Sequence, residues 1–224
     1  MERYARNCIL TSAEQSDLLK KRVLIVGAGG LGGYILEMLV RIGIGEITLI
    51  DADVFEESNL NRQILSDINN IGEYKAAMGK NRAISINPEI KINEKIEKLT
   101  IENADEIVFG HDLVFDALDS IGDRMVLRQA AKKAGIPLVH GAIAGWLGQV
   151  TFVMPEDNTL EKIYPTNHNK GIEVQTGNPS FTPAVVAGFQ VAEGIKYLTG
   201  KDGLLRNSLL TLDLLNHNYQ IIEL

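Results

Sequence analysis

The segment Val23-Leu-Ile-Val-Gly27-Ala-Gly29-Gly30-Leu-Gly32-Gly33 constrains the fold more than any other part of the chain. An apolar run without alternation is the pattern of a strand buried on both faces of a parallel sheet. Glycines follow it directly, and Leu31, Ile35, Leu36, Leu39 and Val40 then recur at helical spacing. Gly43 and Gly45 close that helix, residues 46–50 return as a second strand, and Asp51 ends it. Strand, glycine turn, helix and strand make a mononucleotide-binding half. Gly27 permits the tight turn, Gly29 with Gly30 lets backbone approach a phosphate, and Gly32 lets helix and strand pack closely. The helix N-terminus offers N–H donors to the anion. Asp51 is placed to accept both ribose hydroxyls, a role that serves ATP and NAD equally.

The rest of the chain continues the alternation. Ser12-Ala-Glu-Gln15 fits a capping box for a short N-terminal helix. Helices are expected over 72–85, after Thr100, and from a cap at Ser120 or Asp119 to residue 134. Strands are expected over 90–94, 111–116, 137–140 and 145–154. The polar stretch 52–71 is long for a loop in a compact fold, which marks it as functional or as holding short helices. Residues 155–181, rich in Pro, Asn, Thr and Gly, read as a mobile crossover. Thr182-Pro183 opens a last helix, and strands over 209–214 and 219–223 form an antiparallel edge. The expected class is α/β: a Rossmann-like, mostly parallel sheet with helices on both faces and antiparallel C-terminal strands. A single domain over 1–224 is expected, with an arm and helix (1–21), a nucleotide-binding core (22–154), the crossover (155–181) and a C-terminal helix with edge strands (182–224).

Composition narrows the function. Acidic residues outnumber basic ones, 29 to 22, for a net charge of −7, which argues against a nucleic-acid-coating surface. The single cysteine, Cys8, excludes an internal disulfide and a thiolate zinc cage, and reads as a buried small hydrophobe. His111, His140, His168 and His217 show no metal-ligand spacing and read as surface or strand residues. The N-terminus lacks the apolar core of a signal peptide, and no run of about 18 uncharged apolar residues occurs. A cytoplasmic protein without a membrane partner is expected.

The chemistry concentrates just past Asp51. Arg62 carries a planar fork suited to phosphate oxygens, Asn59 can orient a phosphate or a carbonyl, and Gln63 stands beside them. Asp53 reads either as a helper to ribose or metal or as an exposed loop acid. Lys75, near a helix start, gains nothing from the helix dipole and makes sense with an anion between them. Asp116 and Asp119 flank the end of the fourth strand, where ligands bind in such sheets, and either is a candidate for Mg²⁺. An NAD-dependent oxidoreductase would use the glycines and Asp51 but explains neither Arg62 nor Lys75.

The combined pattern resembles the ThiF/MoeB/HesA family of the ubiquitin-activating-enzyme-like superfamily. The resemblance runs from Arg3-Tyr-Ala-Arg6 to the last strands, and rests on Gly27-Ala-Gly-Gly-Leu-Gly32, Asp51-Ala-Asp53, Ser58-Asn-Leu-Asn-Arg-Gln63, Gly72-Glu-Tyr-Lys75, Asp116-Ala-Leu-Asp119 and Gly148-Gln-Val150. It implies an adenylyltransferase that joins ATP to the C-terminal Gly-Gly carboxylate of a small ubiquitin-like sulfur carrier, serving molybdopterin, thiamine or related biosynthesis. It places Asp51 on ribose, Asn59, Arg62 and Lys75 on phosphates, Mg²⁺ on Asp119, and Arg6 in the neighbouring subunit's site of a homodimer. Activation of a carboxylate on modified tRNA is a related alternative. The chain departs from relatives with two Cys-x-x-Cys pairs, reading Ile163-Tyr-Pro-Thr-Asn-His168 at the first, so zinc is not expected. Residues 155–181 also hold no cysteine for covalent transfer.

Overall fold

The computed structural model describes residues 2–165 and 176–224. Its strands are β1 (Arg22–Val26), β2 (Glu46–Ile50), β3 (Lys91–Lys95), β4 (Leu113–Asp116), β5 (Leu138–Ala144), β6 (Leu147–Val153), β7 (Ser208–Asp213) and β8 (Asn218–Glu223). They form one sheet in the order β3-β2-β1-β4-β5-β6-β7-β8. The pairs from β3 to β5 are parallel, and β5–β6, β6–β7 and β7–β8 are antiparallel. Helices α1 (Ser12–Leu18), α2 (Gly30–Ile42), α3 (Lys75–Ile86), α4 (Ala104–Val108), α5 (Ile121–Ala134), α6 (Thr159–Ile163) and α7 (Phe181–Leu198) surround it.

The pleat sorts alternate residues of each central strand into two cores. Val23, Ile25, Leu113 and Phe115 join α2 and α7 through Ile35, Leu39, Val186 and Val191. Leu24, Val26 and Val114 join α4, α5 and α6 through Ile107, Leu127 and Leu160 on the opposite face. Helices therefore cover both faces, as the continuous apolar strands require. Ile25 and Leu24 are fully buried, so truncating either to alanine costs about 2–5 kcal/mol.

Several boundaries differ from expectation for identifiable reasons. The capping box lies one residue earlier: Thr11 Oγ1 accepts from Glu14 N–H (3.2 Å) and Glu14 Oε2 accepts from Thr11 N–H (2.6 Å). The helix expected over 72–85 begins at Lys75, because Gly72 takes a left-handed φ of 88° and Tyr74 makes an antiparallel bridge with Val54. β5 extends to Ala144 because it pairs with β6 along its whole length. Thr182 does not cap the last helix. Ser180 is the cap, and the buried Thr182 hydroxyl donates to the Gly145 carbonyl (2.7 Å). Cys8 is exposed rather than buried; it sits on the N-terminal arm beyond the sheet's cores, its thiol within reach of the Ala5 carbonyl (3.1 Å). The crossover includes α6, while the mobility expected of it falls partly on 166–175, outside the described residues. No helix among the described residues is long and apolar enough to cross a membrane.

Candidate active site

Strand order reverses between β1 and β4, since β2 and β3 lie to one side and β4 and β5 to the other. Such a switch point opens a crevice at the carboxyl ends of the strands. The register pairs Val26 with both Ile50 and Asp116, so Gly27, Asp51 and Ala117 all stand one residue past that edge. A cleft of about 1250 Å³ opens above them.

The glycine turn is shaped by two contacts that no side chain could share. Gly27 has a φ of 97°, and a Cβ there would stand 2.6 Å from the Ala117 carbonyl oxygen. A Cβ on Gly32 would stand 1.8 Å from the Gly27 carbonyl oxygen, so this glycine lets α2 press against the turn. Gly29 caps α2 without any side-chain hydrogen bond, and Gly29 and Gly30 line the cleft. Asp51 reaches back to the same turn. Its Oδ2 accepts from Ala28 N–H (2.7 Å) and its Oδ1 from Asp53 N–H (2.8 Å). Burial pushes the Asp51 carboxyl above its ordinary value, opposed by those two amides and by Lys75.

The polar stretch after Asp51 is a closed loop. Phe55 N–H donates to Glu73 O (2.9 Å), Gly72 N–H to Phe55 O (2.8 Å) and Lys75 N–H to Asp53 O (2.9 Å). This closure brings Lys75, the first residue of α3, beside Asp53, with Nζ 2.9 Å from Asp53 Oδ2. The lysine side chain is 8% exposed and the aspartate 72%. Inside the loop a short 3₁₀ turn, Glu57–Asn59, carries the chain to Arg62. Arg62 Nη1 donates to Ser58 O (3.0 Å) and Asn61 Oδ1 (2.9 Å), which aims the guanidinium along the cleft. Gln63 is buried against Gly29, and its Oε1 has no hydrogen-bond partner.

On the opposite wall Asp119 is exposed and lines the cleft, while Ser120 caps α5 by accepting from Asp123 N–H (3.3 Å). Asp116 is buried beneath it. Its Oδ2 accepts from His140 Nδ1 (2.6 Å), and His140 Nε2 lies 3.1 Å from Tyr164 Oη. Arg124 Nη1 and Gln149 Nε2 also meet that phenol at 2.9 and 2.7 Å. Sequence reasoning assigned no role to His140, Tyr164 or Arg124. The available signal was a polar residue within an apolar strand at the sheet's carboxyl edge, where a partner is required.

The structure thus gathers Gly27, Gly29, Gly30, Asp51, Asp53, Arg62, Gln63, Lys75 and Asp119 around one cleft. Gly32 stands behind the turn. Asn59 lies in the loop interior, its Oδ1 accepting from Glu56 N–H (3.1 Å), away from the cleft lining. Arg6 is exposed on the arm, also away from it. The donor set fits a nucleoside triphosphate: a helix N-terminus with no side-chain cap and a guanidinium and an ammonium that could meet phosphates, a carboxylate at the end of β2 that could meet a ribose, and an orphaned Gln63 amide oxygen that could accept from a hydroxyl. Among the described residues no cluster of three or more His, Cys, Asp or Glu could hold a metal unaided. Mg²⁺ does not need one, since one carboxylate such as Asp119 together with phosphate oxygens suffices.

Residues 4–224 match the model of the ThiF family. The SAMP-activating enzyme E1 of Haloferax volcanii is 32% identical over 228 residues, covering 99% of this chain and 84% of that protein. The sulfur carrier protein adenylyltransferase of Thermus thermophilus is 34% identical over 232 residues, covering 98% and 86%. In fold the chain is similar to the crystal structure of E. coli MccB with AMPCPP and MccA, with a TM-score of 0.84, 21% identity, and coverage of 99% and 71%. A family match over nearly the whole chain, joined to relatives of this identity and coverage, shows that the chain is an adenylyltransferase belonging to the ThiF family.

Proposed function

We propose that this protein adenylates the C-terminal Gly-Gly carboxylate of a small ubiquitin-like sulfur-carrier protein, in sulfur transfer for molybdopterin, thiamine or a related cofactor. The observation that carries the proposal is one cleft holding a glycine turn, an acid at the end of β2, two cations and a further carboxylate. At about 1250 Å³ the cleft exceeds the roughly 300–1,000 Å³ of small-molecule sites, and its lining continues over Gly148, Thr211 and Gln220 of β6, β7 and β8. That leaves room for a second substrate beside a nucleotide.

The carrier carboxylate is a weak nucleophile approaching an anionic phosphate. A C–O–P bond forms at the α-phosphorus as the bond to the bridging oxygen breaks, and pyrophosphate leaves. No proton must be removed, so the site's task is alignment and neutralisation of charge. Asp51 holds the ribose hydroxyls, and Lys75, released from Asp53, joins Arg62 on the phosphates, while Asn59, buried in the loop interior, shapes the loop that carries Arg62. Asp119 is the proposed ligand of Mg²⁺, which when bound would offset pyrophosphate charge. Arg6 is proposed to act across a two-fold homodimer in its partner's site, a reading supported by its exposure on the arm and its absence from the lining of its own cleft. A cytoplasmic location accords with this role.

Pyrophosphate exchange into ATP tests the proposal. Exchange should depend on a carrier ending in Gly-Gly; robust exchange without one, or none with any candidate carrier, would remove it. The dimer is tested by mixing. Arg6→Ala and Asp119→Ala homodimers should each be nearly inactive, and their heterodimer should regain up to about half of wild-type activity by site counting. A heterodimer as inactive as its parents would mean that Arg6 acts in cis or that the two sites must work together, and either removes the independent trans site.

A further inference from the structure

Three side chains converge on the Tyr164 phenol. Arg124 Nη1 and Gln149 Nε2 can only donate to it, so the phenol keeps its own proton for His140 Nε2, 3.1 Å away. That choice sets the imidazole tautomer: Nε2 accepts, and Nδ1–H donates to Asp116 Oδ2 at 2.6 Å. Burial holds His140 below its ordinary value, in keeping with a neutral ring. The other Asp116 oxygen accepts from Leu118 N–H (3.0 Å), while Arg124 Nε donates to the Leu118 carbonyl (3.1 Å).

The bonds therefore close a circuit. One arm runs from Tyr164 through His140 and Asp116 to the amide of Leu118. The other runs from Tyr164 through Arg124 to the carbonyl of Leu118. Leu118 immediately precedes Asp119, and Ala117 N–H is tied to Val26 O (3.0 Å) beside the glycine turn. The Tyr164 end is itself anchored, because Arg128, one turn along α5 from Arg124, donates to the carbonyls of Pro155 (3.1 Å) and Asp157. With its proton engaged, Tyr164 is not placed to act as an acid or base.

We infer that Tyr164 is a positioning residue which, by closing this circuit, holds the Leu118 peptide and with it the Asp119 carboxylate where the nucleotide site requires them. The inference rests on the adenylation reading for its functional half, and on geometry alone for the rest.

Tyr164→Phe keeps the ring and removes the closing oxygen. In the nucleotide-free protein, amide hydrogen exchange at Leu118 should quicken about tenfold, while Leu24 and Ile25 in β1 stay as in wild type. The MgATP dissociation constant from calorimetry should rise about fivefold, and adding Tyr164→Phe to Asp119→Asn should bring no further rise. His140→Asn opens the same circuit and is read in the same way if the first variant does not fold. Unchanged exchange at Leu118, equal quickening throughout the sheet, or additive losses of affinity would each overturn the inference. A wild type that binds no ATP while Leu118 still responds would remove the adenylation reading and the functional half, leaving the circuit. An ATP-binding wild type with an unresponsive Leu118 would do the reverse.

Discussion

The two walls of the cleft manage charge in opposite ways. On the β2–α3 side, Lys75 is paired with an Asp53 side chain that is 72% exposed, and Arg62 rests on a carbonyl and an amide oxygen of its own loop. A pair with one partner that exposed contributes about 0–1 kcal/mol, so a phosphate can displace Asp53 at little cost. On the β4–β5 side, Asp116, His140 and Tyr164 are bonded to one another, and Asp116 and His140 are fully buried. Leaving a buried group of that kind unsatisfied costs about 1–3 kcal/mol, more where it is charged. The groups proposed to meet substrate are those whose present partners are cheap to give up. Asp116, His140 and Tyr164, which hold the frame, have theirs locked in hydrogen bonds to one another.

The strongest way to break this contrast is to delete a group from each side of the cleft mouth. Arg62→Ala and Asp119→Ala should each lower carrier-dependent exchange about 10²–10³-fold, or roughly 3–4 kcal/mol in the transition state. Because neither is part of a core, the unfolding free energy from urea titration should change by no more than about 0.5 kcal/mol. Stability losses as large as the activity losses would mean that these groups support the fold. Smaller, and structural instead, is Gly32→Ala. A Cβ 1.8 Å from the Gly27 carbonyl must push α2 from the turn, at about 1–3 kcal/mol of stability with loss of ATP affinity. Unaltered ATP binding in a destabilised Gly32→Ala protein would separate the packing of the turn from its proposed phosphate role.

What could be read in advance follows the same division. The glycine turn, Asp51 and the alternation of strands and helices are written in local spacing, where a period of 3.6 or an unbroken apolar run decides the element. The Lys75–Asp53 meeting is not local, since it depends on the Val54–Tyr74 bridge that folds the intervening polar stretch into a closed loop. Cys8 shows a similar limit. Whether a small thiol on an arm is covered depends on what the arm lies against, and apolar character alone misplaced it. The β4–β5 wall needed strand order as well. Asp116 and His140 are register partners in the parallel β4–β5 ladder, so their pairing follows once those strands are neighbours, yet 24 residues separate them in the chain. Tyr164 comes from a third element, beyond anything that spacing records.

The β4–β5 wall can also be sharpened by pH. Burial holds both His140 and His111 below their ordinary values, and His111 is further engaged with Thr48 Oγ1 (2.8 Å) and Val108 O (3.0 Å). In the unfolded chain both rings protonate as pH falls through about 6.5. Below that point the unfolded state binds more protons than the folded one, so stability rises with pH there and falls on acidification. Each ring kept neutral contributes up to about 1.4 kcal/mol per pH unit. Asp51 works in the other direction, since its raised carboxyl makes stability decline as pH rises from 3.8 through its folded value. Urea midpoints at pH 7.5 and 5.5 should therefore show wild type weakening on acidification, and His140→Asn weakening less steeply by about one proton's worth. A His140→Asn protein with the wild-type pH slope would mean that His140 is already protonated in the fold. Its Nε2 would then donate to Tyr164, and the wall would hold an ion pair in place of a neutral chain of hydrogen bonds.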